Sequence, residues 1–359
     1  MTGLYFHIPF CARKCPYCDF YSVSYSRETA EAYVGAILRN IRAYAVSDTV
    51  DSVYFGGGTP SLLSAAHIGK IIELCAARYH FSEDAEITLE YNPTGNRADY
   101  LRELRAAGVN RLSVGTQSFS DEELRMLGRT HSAAQGMAAV RAAADAGFSN
   151  ISCDLMLALP GQTKEILRGS IRCLSELPVT HVSAYLLQIE EGTPFSQNAA
   201  LLSRLPDDDG AAELYLHAVS ALDAAGFRQY EVSSFARSGM RSRHNLKYWQ
   251  CEPYLGIGAG AHSCFDGKRF CVPRDVAAFI EAPVQPEKLI DAQPCMQEER
   301  MMLALRTTDG IPENALSASA QKQLPMLCKA GYVRQESGRI FLTPEGFAVS
   351  NAVIAALIS

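Results

Sequence analysis

Residues 3–18 read Gly-Leu-Tyr-Phe-His-Ile-Pro-Phe-Cys-Ala-Arg-Lys-Cys-Pro-Tyr-Cys, an apolar run closed by Pro9 and followed at once by Cys11, Cys15 and Cys18. The run has the length and composition of a buried strand. Spacings of four and three then gather three thiols around one small object at the strand's end. A 4Fe-4S cube held by three thiolates keeps one iron open to a chelating ligand, and Arg13 and Lys14 beside the cysteines favour thiolate over thiol. Two other readings use the same residues. Cys15-Pro16-Tyr17-Cys18 has the spacing of a redox dithiol, and His7 could complete a zinc site. The dithiol leaves Cys11 without a role.

Outward from this segment, short apolar runs alternate with longer stretches of helical period. Strands are expected at Gly3 to Pro9, Ser52 to Phe55, Glu86 to Tyr91, Arg111 to Thr116, Ile151 to Leu157 and His181 to Gln188. Between and after them lie helix candidates Arg27 to Tyr44, Ala65 to Arg78, Tyr100 to Ala107, Ala133 to Ala146, Thr163 to Leu177 and Asp207 to Ala225. Such alternation predicts an α/β fold of parallel units, and six in succession suggest a partial (β/α)6 TIM-like barrel. An open doubly wound sheet fits the same pattern.

Arg228 to Phe235 reads as a seventh strand, and the Gly- and aromatic-rich segment His244 to Cys264 has no clean period. Prolines 283, 286 and 294 mark a linker from Ala282 to Pro294. Beyond it, helices at Gln297 to Leu305 and Ser317 to Ala330 and a hairpin around Ser337-Gly338 suggest a small winged-helix-like domain. The expected division is therefore 1–235 for the barrel, 236–290 for a segment packed on it, and 291–359 for the C-terminal domain. Basic and acidic side chains are balanced in that domain, so it offers no face for DNA.

Of the 359 residues, 48% are apolar and 20% charged, enough to bury a substantial core. The net charge of -6 makes nucleic acid a poor partner. No basic stretch followed by an apolar run precedes Cys11, which argues for a cytoplasmic location. The most apolar stretch, Ile151 to Pro160, is too short to cross a bilayer and contains Asp154. Eight further cysteines, at 75, 153, 173, 251, 264, 271, 295 and 328, are scattered without paired spacing and read as small buried hydrophobes.

Several segments together resemble radical S-adenosylmethionine proteins of the coproporphyrinogen-dehydrogenase type. They are His7 to Cys11 with its triplet, Phe55-Gly-Gly-Gly-Thr-Pro60, Arg111 to Phe119, Leu127 to His131, Asp154 to Gln162 and Leu255 to His262. The resemblance implies a 4Fe-4S cluster on Cys11, Cys15 and Cys18, with S-adenosylmethionine on its open iron. It assigns the turn at Gly57, Gly58 and Thr59 to the methionine amino group. It assigns Tyr5, Tyr17, Glu90, Gln117, Arg129, Asp154 and Gln188 to the rest of that ligand. The residues themselves agree in part, since Glu90, Gln117 and Asp154 lie on expected strands or at their ends, where parallel barrels collect their sites. The resemblance further implies one-electron cleavage of the sulfonium and an electron donor such as flavodoxin or ferredoxin.

Within that family the chain departs from the dehydrogenase branch. Phe20 stands where the dehydrogenase carries a fourth cysteine, and the first strand begins almost at Met1, whereas the dehydrogenase has an N-terminal extension. His244-Asn-Leu-Lys-Tyr-Trp249 is instead similar to a signature of the haem-chaperone branch. On a helix His244 and Tyr248 share a face, either type can ligate haem iron, and Trp249 can pack on a porphyrin. A satisfied structural histidine is the competing reading, and His262 is a reserve ligand. This branch implies haem as cargo, haem-accepting proteins that include respiratory ones, and a weak association with membrane proteins. Oxygen-independent coproporphyrinogen III dehydrogenase and the haem-degrading methyltransferases are the alternatives.

Overall fold

The computed structural model describes residues 1–95 and 97–358. The expected alternation is present: β1 (Thr2–Ile8), α1 (Arg27–Ala43), β2 (Val50–Gly57), α2 (Ala65–Arg78), β3 (Phe81–Tyr91), α3 (Ala98–Ala106), β4 (Arg111–Gln117), α4 (Ala133–Asp145), β5 (Asn150–Leu157), α5 (Lys164–Ser175), β6 (His181–Leu186) and α6 (Asp208–Ala224). Strands β1 to β6 pair in chain order, all parallel. Their apolar side chains, among them Leu4, Phe6, Val53, Phe55, Leu89, Leu112 and Ile151, are buried, as expected where helices cover the outer face of a curved parallel sheet. Helix starts follow from local chemistry. Ser26, Ser64, Ser132, Thr163 and Asp207 each accept the backbone N–H three residues on, satisfying a donor that the first turn leaves free.

The structure departs from expectation after α6. Arg228–Gln229 and β7 (Ser234–Ala236) are two short antiparallel strands at the β6 edge rather than one seventh strand. The segment without a clean period contains α7 (Arg243–Gln250) and β8 (Tyr254–Ile257), and β8 lies parallel to β1 on the side away from β2. Two hairpin strands, β9 (His262–Phe265) and β10 (Lys268–Cys271), extend the sheet, and β11 (Lys288–Asp291) forms its last strand inside the expected linker. Short length and glycine-rich surroundings hid β8. Neighbouring prolines hid β11, although an edge strand tolerates them nearby.

The C-terminal part opens with α8 (Gln297–Ala304), followed by a helix at Ala318–Lys329 and a hairpin of Val333–Glu336 and Arg339–Leu342. Ile311–Pro312 adds a third strand to the hairpin, and a final helix covers Ser350–Ile358. It joins the large sheet through residues 230–232: Val232 N–H donates to Arg306 O, and Thr308 N–H donates to Tyr230 O. No helix among the described residues is long and apolar enough to cross a membrane.

Candidate functional site

The cysteine loop leaves β1 and is fixed at three points. Phe10 and Cys11 pair with Val23 and Ser24 in a two-residue parallel ladder. Cys18 N–H closes a turn on Cys15 O at 3.1 Å, and Phe195 N–H donates to Pro16 O. Thr59 Oγ1 lies 3.6 Å from Cys11 Sγ, and Arg129 Nη1 donates to Cys15 Sγ at 3.5 Å. All three thiols face one cavity of about 520 Å³. His7 is withheld from them, because its Nδ1 contacts Tyr5 Oη and its Nε2 contacts Tyr21 O. That removes the ligand on which the zinc reading depended.

Tyr17, Gly57, Gly58, Thr59, Glu90, Gln117, Arg129, Asp154 and Gln188 line the same cavity as the thiols. They arrive from the C-terminal ends of successive parallel strands and the loops after them, the general place for sites in such sheets. A break in pairing register between Val114 and Gln117 leaves Gln117 at a φ of 63°, a left-handed conformation that a non-glycine residue holds only where its surroundings impose it. Asn92, two residues past Glu90, was missed by sequence reasoning. It accepts from Arg129 Nη2 at 2.6 Å, and the strand-end rule that selected Glu90 would have found it. Arg129 Nε is buried with no hydrogen-bond partner among the described residues.

The glycine turn is dictated by packing as much as by a ligand. Gly57 has a φ of +115°, and a β-carbon there would lie 2.7 Å from His7 Cε1. One on Gly58 would meet Phe10 O at 2.7 Å and Cys11 Sγ at 3.1 Å. A side chain at either position would therefore disturb the strand before the cysteines as well as any ligand. Glu90 completes the turn, with Oε2 accepting from Gly57 N–H at 3.2 Å and Oε1 from Tyr54 Oη at 3.0 Å. Burial, and then the nearby Asp154, push Glu90 up to about 8. Burial likewise raises Asp154 to about 6 against the pull of Arg111.

Tyr5 is not brought to this cavity. Its hydroxyl is tied to His7 Nδ1 beneath the glycine turn, and its ring faces a second cavity of about 580 Å³. Phe20, Glu90 and Tyr185 line both cavities. The second is lined by residues of α7 and the strand after it, Asn245, Tyr248, Trp249 and Tyr254, together with His262 and Arg274.

Helix α7 is docked by its polar residues. Glu86 on β3 accepts from the N–H groups of Arg243 and His244, a carboxylate at a helix N-terminus. Lys247, buried, pairs with Asp51 and Glu252 at 2.8 Å each. His244 is fully buried, with Nδ1 3.0 Å from Ser52 Oγ and Nε2 3.0 Å from Tyr248 Oη. Gly3 makes this contact possible, since a β-carbon there would lie 2.9 Å from Lys247 Cδ and 3.1 Å from His244 Cε1. The expectation of His244 as a haem ligand therefore meets a physical obstacle. His244 and Tyr248 do meet across one helical turn, but the contact consumes the imidazole nitrogen that iron would need. His262 is exposed, and no ring hydrogen bond engages it among the described residues.

A curved parallel sheet with three thiols, strand-end carboxylates and a glycine turn around one cavity has the composition of a radical S-adenosylmethionine domain, and residues 5–174 match the Radical SAM superfamily. Two curated relatives match over nearly full length: the heme chaperone HemW of Lactococcus lactis, 35% identical over 98% of this chain and 96% of the relative, and that of Bacillus subtilis, 34% identical over 100% and 99%. The chain belongs to the HemW family. Its fold is shared with the solved coproporphyrinogen III oxidase (HemN) from Escherichia coli, at a TM-score of 0.80 and 22% identity, covering 100% of this chain and 90% of that one.

Proposed function

We propose that the protein binds haem in the cavity walled by Tyr248, Trp249 and Tyr254 and passes it to acceptor proteins in the cytoplasm. In this reading a 4Fe-4S cluster is held on Cys11, Cys15 and Cys18, and S-adenosylmethionine occupies the adjoining cavity. The haem reading draws on the name its relatives carry and is supported by one observation above the rest: a cavity of about 580 Å³ lined by these aromatics and by His262 and Arg274. The aromatic faces suit a flat apolar macrocycle. Burial and the cations Arg274 and Arg269 lower His262, so its imidazole is neutral near pH 7 and can offer a lone pair to iron. Arg274, which lines the same cavity, can pair with a propionate.

The thiol cavity fits its cofactors. Three thiols leave one iron open, Arg129 Nε lacks a partner among the described residues, and Glu90 and Asp154 can answer a cation. When bound, such a cluster supplies one-electron chemistry. Phe20, at the position of the dehydrogenase's fourth cysteine, is 67% exposed and offers no thiol between the cavities. Haem titration of the anaerobically reconstituted chain, run beside an assay for coproporphyrinogen III decarboxylation, separates the two branches. A shifted Soret band without decarboxylation is expected, and the opposite pair of results would overturn the chaperone reading.

The raised carboxyls carry a pH signature. Glu90 and Asp154 keep their protons up to about 8 and about 6 respectively. A sulfonium cation favours their ionised forms, so S-adenosylmethionine affinity is expected to rise with pH between these values. Without ligand the sign reverses for stability: a carboxyl whose folded value is raised loses stability as pH rises through that window. Equilibrium dialysis across this range checks it, and Glu90→Gln should flatten the upper part of the profile. A flat wild-type profile would place both carboxyls outside the ligand's reach.

A further inference from the structure

We propose that Cys251, Cys264, Cys295 and Glu299 form a zinc(II) site that fastens α7 and β9 to the start of the C-terminal part of the chain. These cysteines stand 13 or more positions apart in the sequence, which is why no spacing motif announces them, but the fold brings them together. Cys251 caps the C-terminus of α7, Cys264 lies on β9, Cys295 precedes α8 and Glu299 lies in its first turn. The Cys251 and Cys295 sulfurs and a Glu299 carboxylate oxygen all lie within 4.8 Å of one another, and Cys264 Sγ is 3.7 Å from Cys295 Sγ. In a tetrahedral site with zinc–sulfur bonds of about 2.3 Å, neighbouring sulfurs stand about 3.8 Å apart. The Cys264–Cys295 pair already stands at the spacing that the ion would impose, and Cys264, outside the group of three, would be drawn toward Cys251 and Glu299 on binding.

The surroundings fit a divalent cation. Cys251 and Cys295 both hold left-handed backbone, at φ of 53° and 63°, a conformation that costs free energy for any side chain but glycine and that aims both thiols inward here. Arg269 Nη1 donates to Glu299 Oε1 and the Cys295 N–H to Oε2, each at 2.5 Å, the kind of support that fixes a metal-binding carboxylate, and each oxygen keeps a second lone pair for the ion. Without an ion Cys251, Cys264 and Cys295 are all free thiols. Zinc would bind all three as thiolates and release three protons, and with Arg269 beside it the site would keep one net negative charge. Three thiolates and one carboxylate favour zinc over magnesium or calcium, which select oxygen ligands. None of the four residues lines the cavity of Cys11, Cys15 and Cys18, so the two sites are separate.

Metal analysis of the full chain, purified and reconstituted without air, decides the matter. About one zinc per chain is expected in addition to the cluster iron. The Cys251→Ser/Cys295→Ser variant should lose the zinc and keep the iron, and serine at Cys11, Cys15 and Cys18 together should do the reverse. Cobalt(II) in place of zinc should show a thiolate-to-cobalt charge-transfer band, weakened at least tenfold in apparent affinity by Glu299→Gln, which preserves shape if the double variant fails to fold. Absence of the cobalt band from the wild type, zinc that disappears only with the Cys11, Cys15 and Cys18 variant, or a Cys264–Cys295 disulfide in protein kept from air would each overturn the assignment.

Discussion

Anaerobic reconstitution is expected to load about four irons on the wild-type chain and none on Cys11→Ser, Cys15→Ser or Cys18→Ser. Total loss follows from the geometry, because each thiol is held by a different support and no other cysteine among the described residues lines that cavity. Cys11 is set by its short ladder with Ser24 and by Thr59, Cys15 by Arg129, and Cys18 by the turn on Cys15. Cys328→Ser, on the helix at Ala318–Lys329, is the control and should load iron fully. Iron counts and visible absorption read the result. Full iron in any of the three single variants would mean that the cluster sits elsewhere.

His244→Ala is expected to cost about 2–4 kcal/mol of folding stability, because it opens a cavity in a close-packed site and strands Ser52 Oγ and Tyr248 Oη. His262→Ala should leave the denaturation midpoint unchanged and weaken haem binding by tenfold or more, the loss of one iron ligand. Burial, and then Lys247, hold His244 down at about 3. Its folded value lies below the unfolded one, so its contribution to stability is complete above about pH 6.5 and is lost as pH falls toward 3. Acid denaturation of His244→Ala should accordingly be less steep than that of the wild type. A His244→Ala protein of wild-type stability with a bleached Soret band would show that the ring swings into the cavity after all.

These two histidines mark where sequence reading succeeds and where it stops. The six strands and their helices were legible because each buries a periodic apolar face, and Glu90 and Gln117 at strand ends and Asp154 within its strand converge on one cavity because parallel strands all run toward one side. The partners of a polar residue are another matter. His244 looks available in sequence because nothing nearby in the chain bonds its Nδ1, and Ser52, its actual partner, is 192 positions away. The same limit hid Glu86 under α7, and it made Cys251, Cys264 and Cys295 look scattered. Tyr5 shows the finer version of the problem: its place on β1 was legible, but the side of the glycine turn to which its ring would turn depended on His7.

The position of β8 beside β1 also orders events in time. The strand that leads into the cysteine loop keeps an unpaired edge until β8, about 250 residues further along the chain, has been made. Backbone groups left open in this way are templates for unwanted pairing, and closing so long a loop is slow because chain entropy must be lost before the contact repays it. The strand that carries the cysteine loop is thus made long before its pairing can be finished.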